Sequence, residues 1–161
     1  MGSGVGAGRS AVLVAAVAAA LTGCAGKPAG PSAPPVAPQP QTAQAQAVAS
    51  QEFGLLAGGG WAPAWSLWPA SAQQAISAAD FVRLNTECKP QLGTAYVLDS
   101  STKLDDTTVR VGWHRGAQSG SNTVAYQDGK WRFVPDASAL ADYRLGVDQL
   151  VERRRAAGDC H

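Results

Sequence analysis

The sequence is poor in charge: only 16% of its 161 residues are Asp, Glu, Lys or Arg, and lysine appears only as Lys27, Lys89, Lys103 and Lys130. Thirteen basic residues against twelve acidic ones leave a net charge of +1, so no global field draws the chain to nucleic acid or to an anionic surface. Long hydrophobic runs are also missing. The longest is the eleven-residue stretch Ala11–Leu21, "AVLVAAVAAAL", and a bilayer-spanning helix needs roughly twenty residues. There is no phosphate-cradling glycine loop, no dinucleotide fingerprint, no G-x-S-x-G nucleophile turn and no interleaving of basic and aromatic residues. Two histidines far apart and three cysteines show no metal-ligand spacing, so neither a metal nor a cofactor is expected.

The short apolar run fits another purpose. It follows a Gly-rich start whose one charge is Arg9, and it ends in Leu21-Thr22-Gly23-Cys24. That is the length of a secretory signal core, with small residues approaching a cleavage point. "LTGC" resembles the lipobox of bacterial lipoproteins. The resemblance implies removal of residues 1–23, a diacylglyceryl group on the Cys24 thiol and further fatty acylation of the palmitate type. Two acyl chains on one cysteine anchor stably where a single chain is marginal. Arg9 stands alone, so the general secretion route is expected rather than a twin-arginine one. The expected address is the extracytoplasmic face of a cell membrane.

Residues 24–47 are dominated by Ala, Pro, Gln and Gly and read as a tether. A Pro-rich stretch sustains neither helix nor ladder and holds its cargo off the surface. All five tryptophans lie beyond residue 60. The foldable part is therefore residues 48–161, enough for one modest core.

Within that part the hydrophobic period changes twice. A helix is predicted after Pro40, ending at Gly58–Gly60. Trp61, Trp65 and Trp68 recur at i, i+4 and i+7 and predict one face of a short helix, with Pro63 in its first turn and Pro69 ending it. Ser77 to Asp80 reads as a capping box opening a helix to about Glu87. Strands are predicted at 93–99 and 107–115, where Val109, Val111 and Trp113 alternate with Arg110, Gly112 and His114. "SNTVAYQDGKWRFV" reads as two strands around an Asp128-Gly129 turn, and residues 137–157 as one closing helix. Helices packed on one antiparallel sheet make an α+β domain.

With Cys24 acylated, Cys88 and Cys160 remain as an even pair in an oxidising compartment. A disulfide between them is expected, the alternative being two unrelated thiols. The stretch "FGLLAGGGWAPAWSLWPASAQQAISAADFVRLNTEC", with the strands and "QDGKWRFV", resembles the helical opening and sheet of NTF2-like, or cystatin-like, domains of secreted bacterial lipoproteins. It implies helices wrapped on a curved antiparallel sheet, with room for a hydrophobic cone between them. Another small α+β roll is the alternative.

No catalytic residue is assigned. His114-Arg115 reads as a polar strand end with no acid spaced to orient the imidazole, Asp105-Asp106 as a turn, Asp80 as a cap, and Arg153–Arg155 as a solvated helix end. His161 is terminal. If a pocket exists, its lining is expected from Trp61, Trp65, Trp68, Tyr96, Trp113 and Tyr126. The expectation is a non-catalytic envelope lipoprotein, held to the membrane by lipid on Cys24, that binds an unknown envelope protein or a small ligand. The alternative is a carrier or enzyme using the pocket.

Overall fold

The computed structural model describes residues 40–160; the leader, Cys24, the Pro-rich part of the tether and His161 lie outside the described residues. Helix α1 (Thr42–Gly58) already begins inside the stretch that composition assigns to the tether. The reason is local: "TAQAQA" is made of good helix formers, and Ala45 and Ala49 are fully buried. The helix ends at Gly59, whose positive φ turns the Gly60 N–H back to the Leu55 carbonyl at 2.7 Å.

Three shorter helices follow. Helix α2 (Trp61–Ser66) stops before Trp68, and α3 (Ala70–Gln73) starts after Pro69. Helix α4 (Ala78–Cys88) is capped by Ser77, whose hydroxyl oxygen accepts from the Asp80 N–H at 3.1 Å. Four strands, β1 (Val97–Asp105), β2 (Thr108–Arg115), β3 (Gln118–Gln127) and β4 (Lys130–Val134), form an open antiparallel sheet in sequence order. The Asp128-Gly129 turn joins the last two, both residues at positive φ. The first strand is displaced from 93–99 to 97–105, which leaves Tyr96 on the connecting segment ahead of it.

The expected single helix over 137–157 is two: α5 (Ala137–Tyr143), capped by Asp136, and α6 (Val147–Ala157). Gly146 stands between them at φ 85°, a conformation that no regular right-handed helix passes through. The break turns the chain so that Val147, Leu150 and Val151 face the core while Tyr143 packs on Trp68.

One face of the sheet is buried. Val109 and Val111 of β2 lie beside Val124 of β3 and Phe133 of β4, all 3% exposed or less, and α1 lies across them. Helix α4 packs between α2 and α6, and the Cys88–Cys160 disulfide joins its last residue to the chain beyond α6. No described helix is long and apolar enough to cross a membrane.

Candidate ligand pocket

Helix α1 turns Ala45, Ala49, Glu52, Phe53 and Leu56 toward the sheet. Four of these are what an amphipathic stripe requires; the fifth is a carboxylic acid, Glu52, which is fully buried. Its Oε1 accepts a hydrogen bond from the indole Nε1–H of Trp68 at 2.9 Å. Its Oε2 is buried with no hydrogen-bond partner. Burial pushes the carboxyl up to about 8, against the opposing pull of the Trp68 bond, so it is protonated at neutral pH. Buried polar atoms are nearly always satisfied, so this unpaired oxygen is an exception in the fold.

Glu52 lines a cavity of about 130 Å³ between α1, the sheet and α5. Its walls are aromatic. Phe53 stacks on Tyr96 at 4.7 Å, and the Trp113 ring meets both edge-on at 5.8 and 5.1 Å. Trp68 stacks on Tyr143 at 5.7 Å, and Phe81 meets Trp68 edge-on at 4.8 Å. Burial pushes the Tyr143 phenol up to about 12, against the pull of Arg154 beside it. The polar rim is Asn122 and Asp136. Asn122 Oδ1 accepts from Trp113 Nε1–H at 2.7 Å and so fixes that indole. Burial raises the Asp136 carboxyl, but hydrogen bonds from Ser138 and the Ala139 N–H outweigh it and hold the group below its usual range.

The structure divides the aromatic candidates. Trp68, Tyr96 and Trp113 line the cavity. Trp61 packs edge-on against Phe81 from another side, Trp65 donates its Nε1–H to the Ile76 carbonyl at 2.9 Å, and Tyr126 packs on Trp131. The i, i+4, i+7 spacing does not make one face here, because α2 ends at Ser66 and the Pro69 segment turns Trp68 inward, where it is 3% exposed. A larger groove of about 370 Å³ lies between α1 and β1; Phe53 and Tyr96 line it too.

His114 does have a partner acid. The register slips between Leu98 and Ser100, and this bulge brings the Asp99 carboxylate to His114 Nδ1 at 2.6 Å. Both side chains are nearly half exposed and stand outside the cavity lining. Asp80 accepts from the Ser77 hydroxyl at 2.8 Å at the start of α4, and Asp105 accepts from the Thr107 N–H at 2.8 Å in the β1–β2 turn. Arg153 pairs with Asp142 at 2.5 Å. No cluster of three metal-ligating side chains occurs among the described residues.

Glu52 is the residue that sequence reasoning missed. The signal was present: an acid within the Ala45, Ala49, Phe53, Leu56 stripe of a helix that composition had assigned partly to a tether. No protein-family model matches the chain, and no curated protein matches it at a significant level.

Proposed function

We propose that the chain is a lipoprotein anchored through Cys24 at the extracytoplasmic face of the cell membrane, and that its α+β domain, of NTF2-like type, binds a small ligand without transforming it. The observation that carries the binding reading is an aromatic cavity lined by a buried acid, Glu52, whose Oε2 has no hydrogen-bond partner. The Cys88–Cys160 disulfide suits an oxidising compartment, as the leader does. Helices over one face of an antiparallel sheet, with a cavity between, suit the NTF2-like reading. Binding without turnover is favoured because His114 and Asp80, the other acid–base candidates, lie outside the cavity lining.

A protein partner is the second reading. Strand β1 is an edge of the open sheet, and Leu92, Val97 and Leu104 on and before it are 50%, 47% and 46% exposed.

The test is the native mass of the protein gently extracted from its own membrane. The reading expects a chain starting at Cys24, heavier by its acyl groups and lighter by two hydrogens, with a small molecule travelling alongside. A protein companion would transfer the function to the β1 edge. An unacylated chain beginning at Met1 would overturn the anchor.

A further inference from the structure

The cavity lining holds two acids, Glu52 and Asp136, and no lysine, arginine or histidine. Aromatic rings line the same cavity, and an aromatic face attracts a cation through its quadrupole. Arg115 stands over the Tyr96 ring, 5.0 Å from its centroid, and Phe53 stacks on the same ring, so the rings open to a ligand are the others of the lining. The size also selects. An engineered apolar cavity of about 150 Å³ takes benzene, and this one, at about 130 Å³, takes a group of similar bulk.

Resting on the small-ligand reading above, we propose that the pocket takes a small organic ammonium ion, an alkylated amine about the size of benzene, with its positive charge between the aromatic rings and the free Oε2 of Glu52. Anions are rejected by the Asp136 carboxylate at the rim. A neutral molecule of the same shape gains the apolar walls but not the charge. Because Glu52 is protonated in the empty pocket, a permanent cation displaces that proton to solvent, and one N⁺ replaces one H⁺ as the partner of the carboxylate. The other ionisable groups facing the pocket are Tyr96, Tyr143 and Asp136, with Arg115 behind Tyr96 and Arg154 beside Tyr143. Asp136 is already ionised and Tyr143 stays neutral below about 12, so neither titrates between pH 6 and 9.

The experiment is calorimetric titration of the detergent-solubilised full chain with choline and with its neutral isostere 3,3-dimethylbutan-1-ol, at pH 6 to 9. Choline is expected to bind saturably and on the order of tenfold more tightly than the isostere at pH 8.5. Its affinity should rise about tenfold per pH unit up to the Glu52 value of about 8 and then level. Near pH 7, comparison of buffers with different ionisation heats should show about one proton released per choline. Glu52→Gln should remove both the slope and the proton release. Ala139→Leu, which fills the cavity without touching Glu52, should remove binding of both probes, and it keeps the test open if the Gln variant does not fold. Tighter binding of the isostere, or affinity that falls with pH, would overturn the ammonium ligand and leave the pocket reading standing. Saturable binding of neither probe to the intact chain would overturn both.

Discussion

The Trp68 indole donates to Glu52 Oε1 at 2.9 Å across sixteen residues of sequence, in the interior of the fold. The bond fixes the turn between α2 and α3 against the middle of α1. It also sets which carboxyl oxygen is spoken for and leaves Oε2 without a partner. A buried acid with half its hydrogen-bonding capacity unused is destabilising, so the pair reports on the site through stability as well as through binding.

Stability should fall as pH rises between the two Glu52 values. The carboxyl titrates at 4.5 when unfolded and at about 8 when folded, so within that window the folded state holds the extra proton. The contribution is complete below 4.5, declines by about 1.4 kcal/mol per pH unit and is gone above about 8. Urea unfolding at several pH values measures it. Glu52→Gln should flatten the curve over this window.

Trp68→Phe keeps an aromatic ring and removes the donor. Both Glu52 oxygens then lack a protein partner, and the expected loss is about 1–3 kcal/mol. The bond normally lowers the Glu52 value, so the variant's pH-dependent decline should extend to higher pH than in the parent chain. The same unfolding series checks both effects.

Gly120 lies opposite Trp113 on β3, and a Cβ there would stand 2.6 Å from the indole ring. Gly120→Val should displace Trp113, break its bond to Asn122 and cost about 1–3 kcal/mol through overpacking. Near-ultraviolet circular dichroism should change with it. Choline affinity should fall by more than the isostere's, because a cage wall has moved.

Removal of the Cys88–Cys160 bond, which spans 72 residues, should lower stability by about 4 kcal/mol through the freedom returned to the unfolded chain. Cys88→Ser/Cys160→Ser against the oxidised parent chain measures this. Neither cysteine lines the pocket, so choline affinity should change little under conditions where the variant stays folded.

Much of the architecture is legible from periodicity, because alternation and helical spacing follow directly from which face is buried. The strand at Val109, Val111 and Trp113 and the Asp128-Gly129 turn are examples. The sites of disagreement share a cause in tertiary contact. Ala45 looks like tether until a sheet is placed beneath it. Trp68 leaves its expected helical face because Glu52 and Tyr143 receive it. Gly146 divides the last helix where the apolar stripe runs on unbroken in sequence. Three cavity residues, Trp68, Tyr96 and Trp113, are among the aromatics that composition singles out. Glu52 is not, since its meaning depends on neighbours 16 or more residues away.

The most direct test is to titrate the Glu52 carboxyl itself, by its infrared or carbon-13 signal identified through Glu52→Gln, in the full chain with and without saturating choline. The account predicts a protonated carboxyl at pH 7 in the empty pocket, titrating near 8, and an ionised one when choline is bound. A carboxyl that titrates near 4.5 when empty, or one that keeps its proton at pH 7 with choline saturating, would contradict it.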